Sequence, residues 1–327
     1  MKFREFSNLG WRVSEIGLGC WAIGSEWGDV SENDARKVLK TSLDQGVNFF
    51  DTADVYGDGR SEKFVGGLIN STSEKIYVAT KSGRRLNPHT PEGYNIKNIE
   101  GFIDRSLLNL GVESIDLLQL HCPPSEICSK KETYEMMDEI VKRGKIVNYG
   151  VSVEKISEAM DAIQFPNVKS IQIIFNIFRQ KPAELFFKEA AKKNVAIIVR
   201  VPLASGMLTG KMNKDSIFPQ NDHRNYNIKG EAFDVGETFS GVNFEKGLEG
   251  VERLRHLLPI GFSLTDVALK WILMHKEVTV VIPGAKNKQQ AENNVLASEK
   301  NDILEITTSI NQDYKDLIEP DLKDRWQ

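Results

Sequence analysis

The sequence predicts a parallel (β/α)8 TIM barrel, on three observations. Short apolar runs alternate with amphipathic segments through most of the 327 residues. The runs are continuously apolar rather than alternating, as in a parallel sheet buried on both faces. Strand-plus-helix units recur about eight times, which suits a closed barrel better than an open sheet.

The strands are expected at residues 16–19, 47–51, 76–81, 115–120, 146–151, 170–174, 196–199 and 278–282. Helical periodicity falls between them, at 33–45, 59–70, 96–110, 132–143, 154–163, 183–193, 264–275 and 288–298. Gly46 stands where the first of these helices needs a C-cap. Residues 3–14 read as a short hairpin before the barrel, with Asn8-Leu9-Gly10 at the turn. Residues 212–245, rich in Asn, Asp, Gly and Phe, form a long segment after the seventh strand. A segment of that length inside a compact domain is expected to be a lid or binding loop, or else disordered. No linker or low-complexity tract divides the chain, so residues 1–327 are expected to form a single domain.

Composition narrows the function. Apolar content of 40% and charged content of 27% are ordinary for a globular protein. A net charge of -4 argues against a broad nucleic-acid-binding face, which needs a basic surplus. No apolar run approaches the roughly 20 residues of a membrane span. The N-terminus lacks the apolar core of a secretory signal. Three cysteines, Cys20, Cys122 and Cys128, are too few and too odd for a disulfide framework. The chain is therefore expected in the cytoplasm, without nucleic-acid or membrane partners. Its oligomeric state cannot be read from the sequence. No bound metal is expected, because His121, Cys122 and Cys128 lack a fourth ligand at usual spacing. Gly17, Gly19 and Gly24 do not spell the dinucleotide fingerprint.

The chemistry lies at three strand ends. Val47-Asn48-Phe49-Phe50 runs into Asp51, with Tyr56 five residues on; the third strand ends in Lys81, the fourth in His121. Each alone has an ordinary reading as a cap, a half-buried aromatic, a solvated end or a core imidazole. Together they stand at the barrel face where catalytic groups collect. A phenol beside an ammonium and an imidazole is a proton-donating device.

At this point the chain resembles the aldo-keto reductase superfamily, and within it the bacterial branch similar to potassium-channel β subunits. The resemblance rests on GLGCWAIG, FFDTADVYGDGRSE, ATKSG, DLLQLH, GKIVNYGVS, VPLASGMLTGK and IPGAKNKQQAENN, in order along nearly the whole chain. It implies that Tyr56 is the general acid toward a carbonyl oxygen and that Lys81 lowers its pKa. Asp51 would hold Lys81, and His121 would orient the substrate. The hydride would come from a nicotinamide cofactor, with NADP favoured and NAD the alternative.

The resemblance also implies a cofactor path. Ser152 and Gln172 match the residues that hold the nicotinamide amide, although Val153 stands where many relatives have Asn. Pro202, Leu203, Ser205, Gly206, Leu208 and Lys211 match the loop around the pyrophosphate. Gly284, Lys286, Gln290, Asn293 and Asn294 match the adenosine end, with Lys286 placed for a 2′-phosphate. Arg200 replaces the aromatic residue that many relatives stack on the nicotinamide. It would lie against that ring or reach a substrate anion, unless it turns outward onto a carboxylate. Trp21 and Trp27 are expected to wall the pocket for a small carbonyl substrate, and Phe175, Phe178, Phe186 and Phe187 to be core. The expected function is reduction of aldehyde, ketone or sugar carbonyls. The competing readings are a redox-sensing regulatory protein of the same fold and a purely structural barrel.

Overall fold

The computed structural model describes residues 1–24, 27–322 and 325–326. An antiparallel hairpin, β1 (Phe3–Phe6) and β2 (Trp11–Ser14), precedes the barrel as the sequence predicts. Eight parallel strands follow: β3 (Leu18–Gly19), β4 (Phe49–Asp51), β5 (Tyr77–Ser82), β6 (Ile115–His121), β7 (Ile146–Ser152), β8 (Val168–Ile174), β9 (Ala196–Arg200) and β10 (Val278–Val281). They pair in chain order, each with the next. The circle closes where the Val281 N–H donates to the Glu15 carbonyl (2.9 Å) and the Gly17 N–H to that of Val281 (2.8 Å).

Strand parity explains where the site forms. Phe49, Ala79, Leu117, Ile198 and Val280 pack together inside the barrel, with Phe6 and Val13 of the hairpin plugged among them. Side chains alternate along a strand, so the next inward positions are Asp51, Lys81, Gln119 and Arg200. His121 follows two residues after Gln119. The apolar floor thus carries a polar layer directly above it, at the ends of the strands. Truncating a floor residue such as Phe49 to Ala would cost about 3–5 kcal/mol.

The helices of the outer layer are α1 (Glu32–Asp44), α2 (Arg60–Ser71), α3 (Ile96–Leu110), α4 (Lys131–Lys142), α5 (Ile156–Ala162), α6 (Lys181–Leu185), α7 (Phe187–Lys192), α8 (Phe244–His256), α9 (Leu264–Leu273), α10 (Lys288–Leu296) and α11 (Leu304–Asp313). Gln45 caps α1, and Gly46 follows it with φ of 86°. The single helix expected at 183–193 is two, broken at Phe186, whose ring is fully buried. Phe175, Phe178 and Phe187 are core with it, as expected.

Among the helices named above, α8 and α11 have no counterpart in the sequence reading. Gly247 and Gly250 weaken the helical signal of α8. Both are required by packing: a Cβ on Gly247 would meet Met207 Sδ at 2.2 Å, and one on Gly250 the Phe178 ring at 2.9 Å. The 212–245 segment is more ordered than its composition suggests. It holds a short helix at His223–Tyr226 and two 3-10 turns, and its Asp222, His223, Asn227 and Ser240 are fully buried. None of the described helices is long and apolar enough to cross a membrane.

Candidate active site

A cavity of about 480 Å³ opens at the C-terminal ends of the strands. That size suits a small-molecule site. Asp51, Tyr56 and His121 line it, and Lys81 lies just beneath, 1% exposed. The structure therefore brings the four sequence-predicted residues together. The turn carrying Tyr56 is fixed by a close backbone approach. A Cβ on Gly24 would stand 2.9 Å from the Tyr56 Cβ, and one on Gly57, at φ of 61°, only 2.5 Å from the Gly24 carbonyl oxygen. Arg60 ties the same loops together through the carbonyls of Ile23 (3.1 Å) and Gly24 (3.0 Å).

Lys81 Nζ makes three contacts: a very short one to Asp51 Oδ1, one to the Thr52 carbonyl at 2.9 Å and one to the Tyr56 hydroxyl at 3.2 Å. The other oxygen of Asp51 accepts from Gln119 Nε2 (3.0 Å) and Gln172 Nε2 (2.8 Å). Gln119 was missed by the sequence reading, although it shares the inward parity of His121. Burial works against the Lys81 ammonium, but Asp51 and Tyr56 outweigh it, and its pKa lies above the usual lysine value.

Tyr56 corrects an expectation. Lys81 does favour the phenolate, but burial outweighs it, and the phenol is pushed up to about 12 rather than lowered. The side chain is thus stored as the neutral acid at ordinary pH. His121 is held well below its usual value, first by burial and then by Arg84 and Lys81. A neutral imidazole with an unpartnered buried Nδ1 leaves one ring nitrogen unused by the described residues. The Tyr56 and His121 rings meet edge to face, 6.0 Å apart.

Aromatic groups wall the cavity beside Tyr56. Trp21 stacks on Tyr56 at 5.9 Å and meets Trp27 edge-on at 5.5 Å. His223 packs against both indoles, 4.7 Å from Trp21 and 4.5 Å from Trp27. Trp21 and Trp27 both line the cavity, and the 212–245 segment contributes His223 to their packing.

Of the residues on the expected cofactor path, Gln172, Arg200, Pro202, Leu203, Ser205, Gly206 and Lys211 line the cavity. So do Gly284, Lys286, Gln290, Asn293 and Asn294. Ser152 and Leu208 are buried behind the wall. The loop after β9 is strained, with positive φ at Val201 (52°), Ala204 (46°) and Ser205 (55°). The Ser205 hydroxyl holds it in place, donating to the Glu237 carbonyl (2.9 Å) and accepting from the Phe239 N–H (3.0 Å). Gln290 and Asn294 brace the Gly284–Lys286 turn, through the Lys286 N–H (2.8 Å) and the Gly284 carbonyl (3.1 Å). Lys286 Nζ contacts the Trp27 carbonyl and stands 3.9 Å from Asp222. Arg224, which the sequence reading passed over, lines the same region and pairs with Asp222. The donor set fits a phosphate-bearing dinucleotide: Lys211, Arg224 and Lys286, with the N-terminus of α10 beside them.

Arg200 neither turns outward nor lies free. It belongs to a buried cluster with Arg84, Glu154 and Glu237. Its Nη2 donates to Glu154 Oε2 and to the Val153 carbonyl, each at 3.1 Å, and its Nη1 is 3.5 Å from Glu237. Arg84 contacts both glutamates. Burial lifts Glu154 above the usual carboxylate range against the pull of Arg200, whereas at Glu237 the Arg84 and Arg200 guanidiniums outweigh burial and lower it. Cys122 Sγ and one oxygen each of Glu154 and Glu237 lie within 4.8 Å of one another, a spacing a metal can use. Here the two guanidiniums supply the positive charge.

Comparison with known proteins agrees with this geometry. The model of the Aldo/keto reductase family matches residues 15–308. An aldo-keto reductase, YhdN, of Bacillus subtilis is 31% identical over 301 residues, covering 89% of this chain and 87% of the relative. A probable voltage-gated potassium channel subunit beta of Arabidopsis thaliana is 28% identical, covering 95% and 94%. The solved glycerol dehydrogenase AKR11B4 of Gluconobacter oxydans superposes with a TM-score of 0.78 at 26% identity, covering 97% and 96%. With an intact barrel, a cleft at the strand ends and a family match over most of its length, the chain belongs to the aldo/keto reductase family and is an NAD(P)(H)-dependent oxidoreductase.

Proposed function

We propose that the chain reduces aldehyde or ketone carbonyls to alcohols, with NADPH as the preferred cofactor. The observation that carries the proposal is the Lys81 ammonium bound at once to Asp51, the Thr52 carbonyl and the Tyr56 hydroxyl, at the floor of the cavity. A bound nicotinamide supplies the hydride. Tyr56, kept neutral by burial, gives its phenolic proton to the carbonyl oxygen, and the adjacent ammonium stabilises the phenolate left behind. Asp51 fixes that ammonium, and Gln119 and Gln172 fix Asp51. His121 donates to the same carbonyl oxygen from the other side and sets its position. Lys211, Arg224 and Lys286 hold the cofactor's phosphates, and Lys286 favours the 2′-phosphate of NADP. The test is NADPH and NADH oxidation against a panel of aldehydes and ketones; no turnover with any of them would overturn the proposal.

A second reading is a slowly turning over redox sensor, as the likeness to a channel β subunit suggests. It draws on loops that meet over the cavity: Trp27 bridges to Asp222, and Asn221 Nδ2 donates to Asp29 at 3.0 Å. Cofactor release slower than any catalytic turnover would favour it.

A further inference from the structure

We propose that Trp326 is a positioning residue for cofactor binding: it locks the 234–241 turn, and that turn holds the strained 201–206 loop in the form that lines the cleft. The proposal rests on the cofactor path given above. It adds to that path a residue that is not among those lining the cavity.

Two left-handed turns are pressed together here. The loop after β9 carries positive φ at Val201, Ala204 and Ser205. The 234–241 turn carries three in succession, at Phe239 (52°), Ser240 (59°) and Gly241 (73°). Residues other than glycine keep such angles only where their surroundings over-determine them. Each turn supplies part of that support to the other. The Ser205 hydroxyl bonds the Glu237 carbonyl and the Phe239 N–H. Asn176 Nδ2 donates to the Ser240 hydroxyl at 2.7 Å and to the Val201 carbonyl at 2.9 Å. Val201, Leu203, Ser205 and Gly206 line the cavity, so a shift of the 234–241 turn shifts part of the cleft wall.

Trp326 is a further support of the 234–241 turn, and it is 9% exposed. Its indole Nε1 donates to Asp234 Oδ1 at 2.9 Å, the same oxygen that caps the turn by accepting from the Gly236 N–H at 2.7 Å. A Cβ on Gly241 would stand 2.3 Å from Trp326 Cη2, and one on Gly236 3.0 Å from Cζ2. The ring therefore lies flush on the backbone of the turn, where only glycine leaves room. The Arg179 guanidinium lies over the ring at 4.1 Å and donates to the Glu154 carbonyl at 2.6 Å. The Trp326 carbonyl accepts from the Ile156 N–H, where α5 begins, at 2.9 Å. The indole is thus a wedge between the turn and the barrel. Without it Asp234 loses a donor, and the two glycines lose the surface that holds them. The 201–206 loop then takes other conformations, and cofactor affinity falls in proportion to the time it spends outside the receptive one. This loop and Lys286 stand on different segments, so NADPH and NADH should lose affinity alike.

The experiment titrates NADPH and NADH, by cofactor fluorescence, into the wild-type protein, Trp326→Ala, Trp326→Phe and Ile310→Ala. It also follows hydrogen exchange in peptides covering 201–206 and 234–241 without cofactor. Trp326→Ala should raise both dissociation constants by about 10-fold, as a loop that is receptive about a tenth of the time implies. Exchange should rise in both segments together. Trp326→Phe keeps a ring over the two glycines and loses only the bond to Asp234, so it should bind within about three-fold of wild type. Ile310→Ala truncates a buried side chain of α11 outside the cavity lining; it should melt lower and bind both cofactors as wild type does. If Trp326→Ala fails to fold, Asp234→Ala decides by the same two readouts, with both constants raised about three-fold or more. Unchanged affinity, a loss confined to NADPH, an equal loss in Ile310→Ala, or exchange that rises in 234–241 alone each overturns the proposal. If the wild-type protein binds neither cofactor, the cofactor reading has failed first, and this inference falls with it.

Discussion

Lys81 is the residue whose loss separates the chemistry of the site from its stability. Lys81→Met keeps the length and most of the packing of the side chain but removes the ammonium. Asp51, 2% exposed, then loses its one cation among the described residues and keeps two amide donors, Gln119 and Gln172. Breaking a buried pair on one side costs about 3–5 kcal/mol. The surviving amide bonds place this case near about 3 kcal/mol. At Tyr56, an ammonium 3.2 Å from the hydroxyl is worth about 5 kcal/mol toward the phenolate at an effective dielectric of about 20. Without it the phenol rises further above about 12 and becomes a poorer acid, with turnover down by about 100-fold or more. Adding Asp51→Asn removes the stranded charge while keeping an oxygen for the two glutamines. The double variant should regain most of the lost stability and none of the lost turnover. Urea midpoints and kcat for one aldehyde, measured on the four members of the cycle, test this. Recovery of turnover with stability in the double variant would refute the reasoning, since Lys81 would then act only by neutralising Asp51.

Three further outcomes are expected. Lys286→Ala should weaken NADPH by about 10-fold, the low end for a charge-assisted contact because Lys286 must leave the Trp27 carbonyl; NADH affinity should barely change, and equal losses in a binding titration would remove Lys286 from phosphate reading. Asp54 is fully buried, neither of its oxygens has a hydrogen-bond partner among the described residues, and burial, then Glu62, lift it to about 7 from 3.8. A folded-state pKa raised in this way means stability falls as pH rises from about 4 to 7, so Asp54→Asn should stabilise the protein above pH 7 by up to about 4 kcal/mol and give no gain below pH 4; an equal gain at both ends of a Tm–pH series would point to packing instead. Trypsin should cut the 212–245 segment first at Lys214, in its exposed 213–221 stretch, rather than throughout. NADPH should slow that cut, and an unchanged rate would mean the stretch does not touch the cofactor.

What the sequence made legible follows from what each feature depends on. The eight barrel strands were readable because burial on both faces leaves nearly continuous apolar runs such as Ile171-Gln172-Ile173-Ile174. Asp51, Tyr56, Lys81 and His121 were readable because each stands at or just past such a run. Gln119 had the same parity but hid inside an apolar strand. Helix α8 was obscured by the two glycines its packing demands. The Arg84, Glu154, Arg200 and Glu237 cluster could not be read at all, because it joins four segments distant in the chain. The position of Trp326 is a similar case: its indole donates to Asp234 at 2.9 Å and stacks on Arg179 at 4.1 Å, far from either in sequence. The rise rather than fall of the Tyr56 pKa was likewise out of reach, since the balance of burial against Lys81 is set by the depth of the finished site.

The central claim is that the Tyr56 hydroxyl supplies the proton in carbonyl reduction, and Tyr56→Phe tests it most directly. Its ring can still stack on Trp21, so the site should stay assembled. NADPH affinity, followed by cofactor fluorescence, should stay within about two-fold of wild type. Single-turnover oxidation of the bound NADPH by an aldehyde should slow by about 100-fold or more. Oxidation at the wild-type rate, with cofactor bound equally well, would contradict the account.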